Sequence, residues 1–262
     1  MQKLTLTLLD KDNNIKLARS DFDEIATTYK GEYAEGDAWV VEAQSYPCFL
    51  KVRLEDSFES ALLYLTEKLV FTIPFGDGVR VYNSDKAFRG GLHFVWVRTA
   101  REYEIQQYGN LAYNPYQQAE QQGVYPCALS NIKPGNIRFA PRNVIDGAFD
   151  TNAHGSYPYT SWSNAQDPQA ELTIDFGRPV EVDGVVLYLR ADFPHDSWWQ
   201  SITVTFDGEH AEVLEAERTG KAQHYHFSAR QCQRITLTNL IKGKEHAPFT
   251  ALSQLEVLGR NV

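Results

Sequence analysis

Apolar and polar residues alternate along much of this chain, a pattern typical of half-buried β-strands. It is clearest in residues 49–54, 172–176 and 202–206, where leucine, β-branched and aromatic side chains fill the apolar positions. Asp-Gly pairs at 183–184 and 207–208 predict turns. Helical periodicity is limited to short stretches around residues 21–28 and 115–122. Many short strands with closely spaced turns predict an all-β fold made of two β-sandwich (jelly-roll) domains.

The predicted domain boundary lies near residue 107. An apolar strand pattern at 92–97 is followed by a polar stretch rich in loop-forming residues around 110–115. We therefore expect domains at 1–107 and 108–262. Both halves contain a strand ending in Leu-Tyr-Leu and a later one reaching Asp-Gly, so the first domain is predicted to be a second jelly roll.

Composition and charge narrow the class of partner. The net charge of -9 disfavours nucleic acid, because an acidic surface repels phosphate. Three widely spaced cysteines, Cys48, Cys127 and Cys232, predict free thiols. The apolar run at the N-terminus is too short for a signal peptide, and no segment is long enough to span a bilayer. We expect a cytoplasmic protein with no membrane partner. The oligomeric state is left open.

Residues 110–259 contain a series of short sequence motifs whose order along the chain is informative. Asn110-Leu111-Ala112 comes first, then Asn143-Val144-Ile145-Asp146-Gly147, followed by residues 172–177, 203–208 and 253–259. This series resembles the coagulation-factor type C (discoidin) family of galactose-binding-like domains. The resemblance implies that the second domain is a galactose-binding-like β-sandwich. It also implies a lectin-like, carbohydrate-binding function, with a galactose-like sugar held by loops at one end of the sandwich.

Two loops and a later aromatic residue supply the side chains that sugar recognition needs. A sugar presents an apolar face to an aromatic ring and hydroxyls to polar or charged groups. The resemblance points to a histidine, an arginine, an amide or acid, and an aromatic ring, and further polar and aromatic residues lie beside them in the same loops. The candidate ligand-binding residues are His154, Tyr157, Arg190, Asp192, His195, Asp196, Trp198 and Phe249.

Packing offers a second interpretation of some of these residues. Arg190 and Asp192 would then form an ion pair that only orders the loop. Trp162 is expected in the core, and one of Trp198 and Trp199 is expected to point inward, because adjacent strand residues face opposite ways.

The resemblance also implies a structural calcium ion, held by several oxygens. The ligands carried over are the carbonyls of Asn143 and Leu255, the side chains of Asp146 and Glu256, and Thr151. Ala148 stands where the family often has another side-chain oxygen. The alternative is that Asp146 and Glu256 merely cap turns.

We expect no catalysis, since the sequence has no nucleophile elbow, phosphate loop or HExxH motif. A glycoside hydrolase or lyase, or an accessory subunit of one, is an alternative, because Asp150, Asp192 and Asp196 supply carboxylates. A protein-interaction module is a third interpretation, since tyrosine and tryptophan also suit protein interfaces.

Overall fold

The computed structural model describes residues 1–119 and 121–262. The chain forms two compact units. The first contains Met1–Ile105 and Pro115–Tyr125, and the second contains Gln106–Asn114 and Pro126–Val262. Strands paired in antiparallel fashion dominate both units, so the predicted all-β fold class is confirmed.

The first unit is built from two antiparallel sheets. Its strands are β1 (Lys3–Leu9), β2 (Ile15–Phe22), β3 (Glu24–Lys30), β4 (Ala38–Ala43), β5 (Cys48–Arg53), β6 (Ala61–Leu65), β7 (Leu69–Thr72), β8 (Leu92–Thr99) and β10 (Val124–Tyr125). One sheet has the order β2-β1-β4-β7 and the other the order β10-β6-β5-β8-β3.

Alternation along the strands explains the core of the first unit. Leu4, Leu6 and Leu8 of β1 are fully buried, as are Leu50 and Val52 of β5. Their intervening neighbours are partly exposed, as the period of two requires. Each sheet therefore presents one apolar face, and the prediction of a strand at residues 49–54 is confirmed.

The second unit holds the longest strands of the chain. Its main sheet has the order β12-β17-β13-β16-β14-β15, with β11 on β13 and β9 on β17. The strands are β9 (Gly109–Asn110), β11 (Cys127–Ser130), β12 (Trp162–Ser163), β13 (Leu172–Leu189), β14 (Trp199–Phe206), β15 (His210–Glu215), β16 (Gln223–Lys242) and β17 (Ala251–Asn261).

Helices are short and few in the described ranges. One α-helix, α1, covers Glu102–Gln106, and 3-10 helices cover Gly76–Val81, Ile137–Phe139 and Pro141–Val144. Across residues 1–119 and 121–262, no helix has the length and apolar character to cross a membrane.

Strands β13 and β16 are long enough to pair with different strands at their two ends. The start of β13 pairs with β11 and with the C-terminal part of β16, and its end pairs with β17 and the N-terminal part of β16. The register shifts between Asp175 and Val180 and again between Val182 and Gly184. These irregularities bend the sheet around a core that includes Trp162 and Trp199.

Three local predictions were wrong, and the first two concern residues 183–184 and 21–28. The Asp-Gly pair at 183–184 lies inside β13 instead of forming a turn. A Cβ at Gly184 would lie 2.7 Å from the Tyr225 carbonyl oxygen, so the glycine serves close strand approach. The helix expected around residues 21–28 is replaced by β2 and β3, with Asp23 between them at a φ of 62°.

The segment after the predicted boundary packs with the first unit. Tyr116 is fully buried there, and its hydroxyl accepts a hydrogen bond from the Leu54 backbone N–H at 3.0 Å. The two residues of β10 extend the sheet beside β6. The described residues of 115–122 form turns and irregular chain rather than the expected helix.

All three cysteines are free, as expected. Cys232 is buried, and Cys48 and Cys127 are half-buried.

Candidate ligand-binding site

Three loops of the second unit meet beyond the end of β13. The first precedes β12, the second joins β13 to β14, and the third joins β16 to β17. The Ala191 N–H donates to the Thr151 carbonyl at 2.8 Å, and the Ser197 N–H donates to the Phe249 carbonyl at 2.7 Å. Backbone hydrogen bonds thus hold the loops together and place their side chains side by side.

A buried ion pair lies at the centre of these loops. The Arg190 guanidinium donates to both oxygens of Asp196, from Nε to Oδ2 at 2.8 Å and from Nη2 to Oδ1 at 2.6 Å. Both side chains are almost entirely enclosed, at 4% and 0% exposure. The other Asp196 partners include the Asp192 backbone N–H at 3.2 Å. The pair therefore orders the loop from inside.

This placement gives Arg190 and Asp196 a different role from the one predicted. They were expected to contact ligand directly, but enclosed groups that satisfy each other do not face solvent. The packing interpretation predicted an ion pair for Arg190, but the partner is Asp196 rather than Asp192.

Three aromatic or imidazole rings form an exposed stack above the buried pair. His154 and His195 lie parallel with centroids 4.3 Å apart and planes at 6°, and Phe249 stacks on His195 at 5.2 Å and 13°. The two imidazole side chains are 41% and 44% exposed, and Phe249 is 40% exposed. We call His154, His195 and Phe249 the ring platform.

Asp192 lies at the edge of the ring platform. Its Oδ2 is 2.7 Å from His154 Nδ1 and 4.0 Å from His195 Nδ1. Within residues 1–119 and 121–262, three polar atoms of this group have no hydrogen-bond partner: the Nε2 atoms of both imidazoles and the Oδ1 atom of Asp192. Polar atoms that accept or donate therefore surround exposed ring surface, which is the combination that a sugar needs.

The remaining candidate residues fall into separate positions. Trp162 and Trp199 are buried against each other, as expected for the core. Trp198 is partly buried, and its Nε1 donates to Glu245 at 2.9 Å. Tyr157 is 41% exposed on the loop that carries His154.

Sequence reasoning missed a polar cluster next to the ring platform. Glu245 accepts hydrogen bonds from Trp198 and from the Ser197 hydroxyl, and its Oε1 lies 3.0 Å from Arg218 Nε. The Arg218 guanidinium stacks 3.9 Å above the Phe193 ring. Arg218 and Glu245 lie in charge-rich loops without periodicity, so no pattern singles them out. The one sequence signal for Glu245 was its place in the same loop as Phe249, four residues before it.

The predicted calcium ligands are a poor match for the ion. The Asp146 carboxylate is 6% exposed, and its Oδ2, without a hydrogen-bond partner in the described chain, is 3.6 Å from the Arg142 guanidinium. Burial raises the pKa of the Asp146 carboxyl to about 7, and Arg142 offsets this only in part. A carboxylate that already has a guanidinium beside it attracts a dication less strongly, because part of its charge is compensated.

The side chains of two other predicted calcium ligands have hydrogen-bond partners of their own. The Thr151 hydroxyl donates to the Gly220 carbonyl at 3.1 Å, and Glu256 accepts from the Tyr188 hydroxyl at 3.2 Å. The Asn143 side chain also donates to two backbone carbonyls and Leu255 is buried in β17, although the ligands predicted at these two residues are backbone carbonyls. Calcium binding therefore stays a prediction that these contacts do not favour.

Comparisons with known proteins return carbohydrate-binding modules among solved structures. Chitosan-binding module 1 from the chitosanase/glucanase of Paenibacillus sp. IK-5 is 18% identical, with a TM-score of 0.38 over 57% of this chain and 98% of that one. The family 32 module of C. perfringens NanJ, solved with galactose, is 15% identical, with a TM-score of 0.37 over 50% and 92%. A fucose-binding module of Streptococcus pneumoniae, SpX-3, is 11% identical, with a TM-score of 0.39 over 56% and 96%.

No family model and no curated protein matches the chain. The similar structures are of the class that the sequence motifs indicated.

Proposed function

We propose that the second unit binds a carbohydrate, galactose or a related sugar, on the ring platform and without catalysis. The observation that carries this proposal is the exposed stack of His154, His195 and Phe249 with the Asp192 carboxylate at its edge. A pyranose packs its C–H face on a ring while its hydroxyls reach the free imidazole nitrogens and the carboxylate.

Packing alone gives no reason for this arrangement. The three rings leave two-fifths or more of their surface in solvent, although burial of aromatic surface is favourable. Backbone hydrogen bonds and the Arg190–Asp196 pair fix the loops, so the rings are preorganised before a ligand arrives. Preorganised exposed rings flanked by polar atoms are a feature of small-ligand sites.

The carboxylates favour binding over glycoside hydrolysis. Hydrolysis needs an acid and a second carboxylate on either side of the scissile bond. Asp196 is enclosed and neutralised by Arg190, and Asp150 accepts hydrogen bonds from Asn152. Asp192 and Asp196 both lie beside His195, but the Asp192 side chain is 32% exposed whereas Asp196 is fully enclosed.

A glycan array with the full chain tests this proposal. We expect retention of galactose-type glycans by the native protein and at least a tenfold weaker signal for Phe249→Ala. Tyr108→Ala is the matched control, because it also removes an exposed ring, 45% exposed, of the second unit. The Tyr108 hydroxyl donates a hydrogen bond to Asp183, which lies six residues before the end of β13 and so away from the ligand loops. Equal retention by both variants would remove the ring platform from the site.

The same array ligand separates binding from catalysis. Incubation of the retained glycan with the native protein is expected to release no new reducing ends. Their release, and its loss in Asp192→Asn, would promote the hydrolase alternative.

A further inference from the structure

Three side chains with metal-binding atoms converge on the loops of the second unit. His154, Asp192 and His195 each place one such atom so that all three lie within 4.8 Å of one another. Two of the residues come from the loop between β13 and β14, and His154 comes from the loop before β12. The cluster is therefore made by the fold and not by a local sequence repeat.

The distances suit a small tetrahedral ion. Zinc binds histidine nitrogen and carboxylate oxygen at about 2.0–2.2 Å, so neighbouring ligand atoms around it lie roughly 3.4 Å apart. Asp192 Oδ2 lies 2.7 Å from His154 Nδ1 and 4.0 Å from His195 Nδ1. These two distances lie on either side of that spacing, and each would change by roughly 0.6–0.7 Å when an ion binds.

The donor types exclude calcium and magnesium and favour a transition metal. Two imidazoles with one carboxylate form a set that binds Zn²⁺, whereas hard cations take oxygen ligands. All three side chains are between 32% and 44% exposed, so an ion has access and water can complete the coordination.

Local charge also favours a dication at this cluster. Arg190 neutralises Asp196, whereas the Asp192 carboxylate faces two imidazoles and no arginine or lysine in the described ion pairs. The loop is also held in place, because the Asp192 N–H donates to Asp196 and the Asp196 N–H donates back to the Asp192 carbonyl at 2.8 Å. Asp196 Oδ1, at 3.2 Å from His195 Nδ1, is the contact that an ion would replace.

We propose that His154, Asp192 and His195 form a binding site for a divalent transition metal ion, with Zn²⁺ the best fit. The site uses the two imidazoles of the ring platform but does not depend on sugar binding. Binding of the metal and binding of the sugar should each change the affinity for the other, because both use the same exposed imidazoles.

Calorimetric titration of the chelator-stripped full chain with Zn²⁺ tests the proposal. We expect one ion per chain at this site and at least a tenfold loss of affinity in His154→Ala/His195→Ala. Asp192→Asn, which keeps the side-chain shape, should also weaken binding at least tenfold. The matched control is His224→Ala/His226→Ala, which removes two exposed histidines of β16.

Spectroscopy gives a second readout that a folding defect does not imitate. Co²⁺ in the native protein should give the intense visible absorption of a tetrahedral ion, and Asp192→Asn should abolish it while far-UV circular dichroism stays unchanged. Zn²⁺ affinity that survives in both site variants, or that falls in the β16 control, would overturn the assignment.

Galactose titration in EDTA keeps this proposal separate from the proposed function. Sugar binding in EDTA with no zinc binding would sink the metal site alone. Zinc binding without binding of any glycan would sink the proposed function alone.

Discussion

Replacing Arg190 by alanine would leave the Asp196 carboxylate enclosed without its counter-charge. The two side chains are 4% and 0% exposed and share two charge-assisted hydrogen bonds of 2.8 and 2.6 Å. Removing one partner of such a buried pair costs about 3–5 kcal/mol, because the remaining charge loses its compensation. We expect Arg190→Ala and Asp196→Ala each to lower the free energy of unfolding by that amount.

Calorimetric and urea unfolding of the full chain measure this loss. At about 2–4 °C per kcal/mol for a unit of this size, Tm of the second unit should fall by roughly 6–20 °C. The double variant Arg190→Met/Asp196→Leu should recover much of the loss, because no unpaired charge remains.

The exposed pair Arg260–Glu181 provides the control. Its side chains are 54% and 35% exposed, so Arg260→Ala should cost at most about 1 kcal/mol. Equal, small losses in Arg190→Ala and Arg260→Ala would refute the view that the buried pair organises the ligand loops.

Buried carboxyls and the residues of the predicted calcium site give the remaining predictions. Burial raises the pKa of Asp146 to about 7, so its stabilising contribution is full below pH 4 and is lost as the pH rises towards 7. The native protein should lose about 4 kcal/mol over that range relative to Asp146→Asn, as measured by urea unfolding at each pH. The bidentate Arg98 pair holds the pKa of Glu104 at about 2, so Glu104→Gln should cost about 3 kcal/mol at pH 7, a loss that disappears between pH 4.5 and 2. A Glu104→Gln penalty that is constant with pH would contradict this. Because Arg142 faces Asp146, millimolar Ca²⁺ should leave Tm unchanged, and a calcium-dependent rise in Tm would restore the calcium prediction.

Periodicity predicted the strands because burial of alternate residues is a local property. Leu50 and Val52 in β5 and Ile202 and Val204 in β14 are buried as their positions indicate. The turn expected at Gly184 failed because a long-range contact, the approach of Tyr225 in β16, decides the conformation there. The predicted cytoplasmic location and the second jelly roll remain predictions.

The site was predictable as a set of loops but not as a geometry. The clustering of charged and aromatic residues identified His154, Asp192, His195 and Phe249, which the fold brings together. Sequence alone did not show that Arg190 turns inward, because its orientation depends on Asp196 and on the enclosing loops. Glu245 was missed because its partners are distant in sequence.

The central claim is that the ring platform of the second unit is the surface on which a sugar binds. Isothermal titration of galactose in EDTA into the native chain and into His195→Ala/Phe249→Ala tests it most directly. We expect measurable binding by the native chain, none by the double variant, and native affinity in Tyr108→Ala. Galactose affinity that is the same in the double variant as in the native chain would contradict the claim.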